Sequence, residues 1–385
     1  MTHNIFGELD TRQFIAQHWQ SKPLLIRQAI KDFQPELTAD TLAGLALEDH
    51  IRSRIVLEHR EESEWECRFG PFEESDFTTL PESHWTLLVQ DVEKHLPQYA
   101  SLLDYFSFLP RWRVDDLMVS YAVDGGSVGP HTDNYDVFLL QAQGQRQWHI
   151  QTEGVQVNEL LADTDLRILK NFHADHCWTL DPGDMLYLPP GVAHHGIAIG
   201  DCMTFSIGFR APSQIDLLQA FTDQVSSNSE SEKFYTDQAD SDSSRRGELG
   251  QQSLQHFREM LRESLNNDKA ITQAVASLLT ESVETPAWYQ TDDWSLETFT
   301  NNLAITSTVK LHPAIRSFYI QKNGAVYWHV HGEVLEIKNN AAAALMQLID
   351  DYRLASGLIR SLLEDHDLIQ MLYIIYQDGG LHIDL

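Results

Sequence analysis

Short runs in which apolar and polar residues alternate fill the stretch between residues 112 and 209. Side chains two apart in a strand point the same way, so this alternation predicts β-strands. Glycine and proline turns separate the runs, as in a small jelly roll, or double-stranded β-helix. The predicted strands are Leu117–Val123, Val137–Gln141, Gln147–Ile150, Met185–Leu188 and Met203–Phe209, and Gly144 is predicted to make the turn between the second and third.

Helical periods flank this strand-rich region and predict an α+β chain. Before it, Asp10 or Thr11 can cap a short helix that ends at His18, and further helices fit 39–47 and 90–106. After it come helical periods at 215–225, 253–266 and 271–280, around a polar stretch at 226–250 that is typical of a mobile connection or an exposed loop. Short strands and helices return from residue 311. The expected domains are therefore 1–212, 213–306 and 307–385.

Charge is the unusual part of the composition. The 385 residues include 27 basic and 57 acidic ones, which gives a net charge of −30. A surface of this kind repels phosphate backbones and attracts basic protein segments, although it can also serve solubility alone. The balance argues against direct nucleic-acid binding and leaves a basic protein partner open.

The cysteines and the apolar stretches bear on location. Cys67, Cys177 and Cys202 have no paired spacing, which indicates a reducing compartment. The first residues show no signal-peptide pattern, and no apolar stretch has the length needed to span a membrane. We therefore expect a cytoplasmic protein with no membrane partner.

His131 and Asp133 form the leading candidate for a metal site. Five His-x-Asp or His-x-Glu triplets occur in the chain, so the triplet alone is a weak signal. This one lies between a glycine-rich turn and a strand-like run, and an extended segment would place both side chains on one face. Two histidines and one carboxylate leave three positions open on an octahedral ion, as in non-haem Fe(II) oxygenases.

The third ligand comes from the segment LYLPPGVAHHG, which offers two histidines. His194 and His195 are adjacent, so only one of them can face a metal from an extended segment. Spacing alone does not choose between them.

Other polar side chains complete the candidate site. Arg146 follows the predicted turn at Gly144 and faces the same interior, where a planar guanidinium suits a carboxylate. Thr204 and Ser206 share one face of their strand and would bind a keto acid if that face points inward, or water if it points outward. Asp124 and Tyr135 flank the His131 segment and would clamp a cationic side chain; the alternative is a turn aspartate and a packing tyrosine.

The segments GPHTDNYDVFLLQAQGQRQWHI, DPGDMLYLPPGVAHHG and SIGFRAP together resemble the JmjC-type cupin oxygenases, and most closely the bacterial ribosomal oxygenases that hydroxylate arginine. The resemblance covers most of residues 1–212 and extends more weakly to the C-terminus. It implies that His194 is the third iron ligand and that Arg146 anchors 2-oxoglutarate. One departure is His195, where relatives often carry another polar residue.

The same resemblance implies Fe(II), 2-oxoglutarate and O2 as cofactor and co-substrates. The implied substrate is an arginine of a basic large-subunit ribosomal protein, number sixteen, and the implied assembly is a homodimer formed through the helical region 213–306. The pattern after residue 307 is similar to a winged helix. Six basic against nine acidic residues at 310–385 favour a protein-contact or stabilising role for it over DNA binding.

Three other functions compete with arginine hydroxylation. Lysine demethylation uses the same core, and a product mass shift of plus 16 or minus 14 daltons would separate the two reactions. A non-redox metal cupin has no reason to place Arg146 opposite the metal. A catalytically silent binding module has no use for an intact ligand triad and anchor.

Overall fold

A ten-stranded antiparallel sheet forms the centre of the N-terminal half of the protein. The computed structural model describes residues 4–59, 64–162, 164–227, 233–236, 247–280 and 291–384. The strands of this sheet are β1 (Leu24–Ile26), β2 (Ser53–His59), β3 (Glu64–Phe69), β4 (Trp85–Val89), β5 (Val114–Ala122), β6 (His131–Thr132), β7 (Val137–Gln151), β8 (His176–Leu180), β9 (Met185–Leu188) and β10 (Ala193–Phe209). Their order is β1-β9-β7-β10-β5-β4-β2-β3, with β6 paired to β10 and β8 to β7. The predicted α+β jelly roll is confirmed.

β7 is one continuous strand, so the predicted hairpin with a turn at Gly144 is wrong. β7 pairs with β10 on both sides of Gly144, from Val137 opposite Gly208 to Gln151 opposite Ala193. Gly144 has a φ of +61°, and the register of β10 shifts between Ile199 and Met203, directly opposite. The two strands therefore bend together instead of one strand reversing, and a bend of this kind needs the conformational freedom of glycine.

Side chains alternate on both sides of this bend, where the phase of the alternation shifts by one residue, and they separate two apolar layers. Phe138, Leu140, Phe205, Ile207 and Phe209 pack with residues of the N-terminal helices in the larger core. The opposite face carries a smaller cluster with Leu139, Trp148, Ile150, Leu186 and Leu188. This second face lines the inside of the barrel. Arg146, Trp148 and Ile150 share it, as the sequence predicts.

The N-terminal helices are α1 (Thr11–Gln17), α2 (Ala39–Leu45), α3 (Glu74–Thr78) and α4 (Val92–His95). The side chain of Asp10 accepts a hydrogen bond from Gln13 N at 2.8 Å and caps α1, one of the two caps predicted. The single helix predicted at 90–106 is wrong. Pro97 has no N–H to continue α4, and a 3₁₀ helix, Pro97–Phe106, follows; a second one is Arg111–Arg113.

Three helices follow the sheet: α5 (Gln214–Ser227), α6 (Gln251–Leu265) and α7 (Asp268–Thr280). α5 packs on α7 through Phe221, Ala270 and Ala274. α6 buries none of its side chains. Most of the polar stretch predicted at 226–250 lies outside the described residues, as do residues 281–290.

The C-terminal part has its own core. It contains α8 (Leu296–Ile305), β11 (Thr308–Leu311), β12 (Ser317–Lys322), β13 (Ala325–Val330), β14 (Glu333–Ile337), α9 (Ala341–Asp351), β15 (Arg353–Ala355), α10 (Ser356–Leu362), α11 (His366–Gln377) and β16 (Leu381–Asp384). Two three-stranded sheets, β15-β11-β16 and β12-β13-β14, enclose side chains such as Trp328 and Leu345 with the helices. Its likeness to a winged helix and the domain boundaries remain predictions.

One carboxylate joins the C-terminal part to the sheet. Asp115 Oδ1 accepts hydrogen bonds from Arg210 at 3.2 Å and from Arg316 at 3.3 Å. None of the helices that the structure describes is both long and apolar enough to cross a membrane.

Candidate metal and co-substrate site

His131, Asp133 and His194 come together at one end of the barrel. β6 pairs with the start of β10, which sets His131 directly opposite His194. Asp133 Oδ1 lies 4.0 Å from His131 Nε2, and Asp133 Oδ2 lies 3.6 Å from His194 Nε2. One donor atom from each residue can be chosen so that all three lie within 4.8 Å of one another. Donors that bind one ion at about 2 Å each have separations of this order, so the three side chains suit a metal.

Backbone carbonyls orient both imidazoles. His131 Nδ1 is 2.9 Å from Gly129 O, and His194 Nδ1 is 3.1 Å from Val192 O. A carbonyl accepts only from a protonated nitrogen, so Nδ1 carries the proton and Nε2 keeps its lone pair for a metal. Burial, and then the neighbouring His131, lower the pKa of His194 to about 4. His194 is therefore neutral, as a ligand must be, at ordinary pH.

His195 points to the other side of β10. Its ring lies 6.0 Å from the ring of Phe172 and 6.3 Å from that of His149. Burial, and then His149, lower the pKa of His195 to about 4. Between the two histidines that spacing leaves open, only His194 lies beside Asp133.

Arg146 is a buried cation on the same inner face. Ala198 is its partner on β10, four residues along from His194, so the strand period turns both side chains inward. Arg146 is 5% exposed, and its Nη1 donates to Ser120 Oγ at 3.4 Å. Its Nε and Nη2 have no hydrogen-bond partner among the described residues. A buried guanidinium without a carboxylate is costly, so these two N–H groups suit the carboxylate of a bound molecule.

Thr204 and Ser206 also lie on the inner face, and both side chains are buried. Thr204 Oγ1 donates to Gln141 Oε1 at 3.1 Å. The alternative in which this face points to water does not hold. Whether either hydroxyl binds a keto acid stays a prediction.

Asp124 is predicted to clamp a cationic side chain, but its carboxylate is exposed and bonded to a turn. Its side chain is exposed, and Oδ1 accepts a hydrogen bond from Gly200 N at 2.8 Å, six residues along β10 from His194. This is the bond of a turn aspartate. Tyr135, in contrast, lies near Asp133: burial, followed by the charge of Asp133, raises the pKa of Tyr135. Tyr135 as a whole residue remains 42% exposed.

Asp116 is a further candidate for the site that the sequence analysis does not include. An ideal Cβ placed on Gly208 would lie 3.4 Å from Asp116 Oδ1 and 3.9 Å from the ring of Tyr135, so both side chains border the same glycine. Asp116 Oδ2 is buried and has no partner among the described residues. Burial, and then Asp91 and Asp115, raise the pKa of Asp116 to about 7. A buried carboxylate of this kind, beside an aromatic ring, suits a cationic side chain.

A jelly roll that carries two histidines and one aspartate at its open end, with a buried cation below them, is the arrangement of a JmjC-type metal-dependent oxygenase. The family model for the JmjC domain matches residues 101–217.

The chain belongs to the ribosomal oxygenase family within that class. It is 36% identical to the ribosomal protein uL16 3-hydroxylase of Escherichia coli over 274 residues, which are 71% of this chain and 72% of the relative. It is 34% identical to a probable ribosomal oxygenase of Haemophilus influenzae over 275 residues, 69% and 67% of the two chains.

Solved structures agree along nearly the whole chain. The X-ray structure of Escherichia coli ycfD superimposes with a TM-score of 0.85 at 30% identity and covers 98% of this chain and 99% of that one. The structure of YcfD in complex with cobalt and 2-oxoglutarate gives a TM-score of 0.83 at 29% identity, with the same coverage. The predicted family is confirmed.

Proposed function

We propose that this protein is a cytoplasmic Fe(II)- and 2-oxoglutarate-dependent hydroxylase that acts on an arginine side chain of the large-subunit ribosomal protein uL16. The observation that carries the proposal is Arg146, a buried guanidinium with two unpartnered N–H groups that shares an inner face with His194. The name of the Escherichia coli relative and the complex of YcfD with cobalt and 2-oxoglutarate support it. A non-redox cupin has no use for this cation.

The three proposed ligands and Arg146 would bind different reactants, the metal and 2-oxoglutarate respectively. His131, Asp133 and His194 would bind iron through three positions and leave three free. Iron, 2-oxoglutarate and O2, when bound, supply the oxidising chemistry that converts a C–H bond into C–OH. Arg146 would bind the distal carboxylate of 2-oxoglutarate with Nε and Nη2, which fixes that molecule before the substrate arrives. Ser206 would donate a hydrogen bond to it, and Thr204 would do so only by turning its hydroxyl away from Gln141 Oε1, to which it donates in this structure.

Asp116 and Tyr135 would hold the substrate side chain. A guanidinium that enters between them would pair with the buried Oδ2 of Asp116 and lie against the side chain of Tyr135, a partly exposed residue. The pairing would offset the cost of the buried carboxylate, so a cation is favoured over a neutral side chain. We assign the charged part of the clamp to Asp116 because Asp124 is occupied by the Gly200 turn.

The decisive experiment measures the product on the protein substrate. Purified protein with Fe(II), 2-oxoglutarate and uL16 is expected to add 16 daltons to one arginine. Arg146→Met should abolish this and the thermal stabilisation by 2-oxoglutarate of the metal-loaded protein, while its apoprotein stays folded because a neutral chain replaces an unpaired buried charge. Loss of 14 daltons from a methylated lysine peptide, or a product independent of 2-oxoglutarate, would contradict the proposal.

The substrate clamp is tested with two matched variants. Asp116→Asn is expected to raise KM for uL16 about tenfold or more while KM for 2-oxoglutarate is unchanged, because a charge-assisted hydrogen bond of roughly 1.5–3 kcal/mol is lost. Asp124→Asn removes the same charge from the neighbouring turn. If Asp124→Asn raises KM instead, the clamp is the one that the sequence predicts.

We also propose that the helical region 213–306 forms a homodimer, as part of a division into domains 1–212, 213–306 and 307–385. Phe257, Leu261 and Leu265 are spaced four residues apart on one side of α6 and are 42%, 69% and 47% exposed. Ile215 and Leu218 on α5 are exposed as well. Phe257 also stacks on Tyr235, but no residue of α6 is fully buried, and an apolar face of this extent suits a second copy of the chain. Leu261→Asp is expected to halve the mass in light scattering, whereas Gln255→Asp should leave it unchanged; a monomeric wild-type protein would contradict the dimer.

A further inference from the structure

The inner face of the barrel continues beyond the candidate site onto strands β4, β2 and β3. Cross-strand pairing sets Ser120, Leu88, Arg54 and Phe69 in one row, and paired residues point to the same face. Ser120 touches Arg146, so the row begins at the candidate co-substrate site. Neighbouring strands are about 4.8 Å apart, which places Arg54 roughly 10 Å from Ser120.

A groove of about 250 Å³ follows this row, and we call it the flanking groove. It is lined by Arg52, Ser53, Arg54, Phe69, Gly70, Leu88 and Gln90. Phe69 is 63% exposed, an unusual position for a large aromatic ring on the strand at the edge of a sheet. An exposed ring and an apolar wall beside a reaction centre are features of a surface that binds an extended polypeptide.

The two arginines of the groove differ in their charge balance. Arg52 Nη2 pairs with Asp91 Oδ2 at 2.7 Å. The half-buried guanidinium of Arg54 has no ion pair or hydrogen bond with any residue that the structure describes. It is near enough to Cys67 and Tyr135 to act on the pKa of each. In a chain of net charge −30, this cation beside the site is available to a partner.

We propose that the flanking groove binds the segment of the protein substrate next to the reacting arginine, and that Arg54 selects for a carboxylate and against a lysine or arginine at one flanking position. This rests on the proposed hydroxylase function. The row places Arg54 about 10 Å from Ser120, and the guanidinium is also within electrostatic range of Tyr135 in the proposed clamp. An extended peptide advances about 3.4 Å per residue, so a side chain within two to four residues of the reacting arginine can reach Arg54. The acidic surface as a whole attracts basic segments, but the substrate position that faces Arg54 would favour an acidic side chain instead.

The test uses peptides in which Asp, Ser or Lys is placed at each of the positions two to four residues on either side of the reacting arginine. The full-length wild-type protein is expected to prefer Asp to Lys at one position by about fivefold or more in kcat/KM, the effect of one half-buried ion pair. Arg54→Glu should invert that preference and leave the KM for 2-oxoglutarate unchanged. Arg54→Gln should abolish it, which keeps the test valid if the charge reversal impairs folding.

The matched control is Arg68→Glu. Arg68 lies on β3 next to Phe69 but pairs with Ile55, so its side chain is on the opposite face of the sheet. Arg68→Glu changes the net charge equally but also breaks the ion pair of Arg68 with Glu66 at 2.6 Å, so Arg68→Gln is measured beside it, and both should keep the wild-type preference. An active wild-type protein with equal kcat/KM for Asp and Lys at all six positions, or a preference that survives Arg54→Gln, would overturn the groove proposal.

Failure of the hydroxylase proposal gives a different result. In that case the wild-type protein modifies neither uL16 nor any peptide of the series. A second variant separates apolar contact from charge: Phe69→Ser should raise KM for peptides that extend four residues beyond the arginine, and should not affect peptides that end one residue beyond it. Equal effects on long and short peptides would contradict contact with the flanking segment.

Discussion

We predict that Asp116, if it binds the substrate as proposed, makes substrate binding depend on pH. Its pKa is raised to about 7 by burial and by Asp91 and Asp115, so the carboxyl is neutral below that pH and charged above it. A cationic substrate needs the charged form. We expect KM for uL16 to fall by up to about tenfold as the pH rises from 6 to 8 at saturating 2-oxoglutarate, since the ionised fraction grows by that factor.

The control for this pH dependence is Asp116→Asn, which has no proton to lose. Its KM should be high and nearly flat over the same range. A wild-type KM that does not change, or a variant that keeps the slope, would show that another group controls binding.

The site residues that sequence predicts are those whose positions follow from strand alternation and turns. His131 with Asp133, and Arg146 with Trp148 and Ile150, are set by the period of two. The same period places Asp116 and Ser120 on one face of their strand. However, the adjacent residues in the sequence do not indicate that one oxygen of the Asp116 carboxylate is buried without a partner. The choice of His194 over His195 likewise depends on which face of β10 turns inward, a tertiary property.

At the scale of elements, the joint bend of β7 and β10 depends on close approach at Gly144. A Cβ at Gly144 would lie 2.1 Å from Asp201 O, and its φ is +61°. Gly200 has a similar φ of +62° with nothing within 4 Å of a Cβ. We expect Gly200→Ala to cost about 1–2 kcal/mol in the free energy of unfolding, the cost of a left-handed conformation for a residue with a side chain.

Gly144→Ala should cost about 1–3 kcal/mol more, because the clash adds to the same conformational cost. Urea denaturation of the two variants measures the difference. If Gly144→Ala and Gly200→Ala lose equal amounts of stability, the strands can move apart at the bend and the predicted clash at Gly144 is relieved.

The bend explains why the predicted hairpin turn at Gly144 is wrong. A glycine between two alternating runs predicts a hairpin turn equally well. The distinction depends on β10, a strand that starts more than 40 residues later and bends at the matching place. The boundaries of β9, in contrast, match the prediction residue for residue, because an apolar run between two proline- and glycine-containing turns leaves no alternative.

A buried histidine of the C-terminal part, His312, lies against helix α4 of the N-terminal half. His312 is fully buried, and burial, followed by His95 and Lys94, lowers its pKa to about 3. The pKa in the unfolded chain is about 6.5. The folded state therefore needs neutral His312, and stability is lost as the pH falls below about 6.5.

We expect this one group to cost about 2 kcal/mol between pH 6.5 and pH 5, because one proton corresponds to 1.36 kcal/mol per pH unit. His312→Gln should reduce the slope of the unfolding free energy against pH, measured by urea titration at several pH values. His366→Gln, at an exposed position of α11, is the control. An unchanged slope in His312→Gln would place the acid sensitivity elsewhere.

Two of the three proposed iron ligands come from a very small element. β6 has only two residues and one partner strand, and Asp133 follows it directly. An ion bound here would cross-link this short segment to the firmly paired start of β10, across more than 60 residues of chain. Backbone hydrogen bonds from Leu169 N to Pro130 O and from Gly191 N to Asp133 O already hold the two ends of the segment, so the ion would add a third tie in the middle and stiffen the mouth of the barrel.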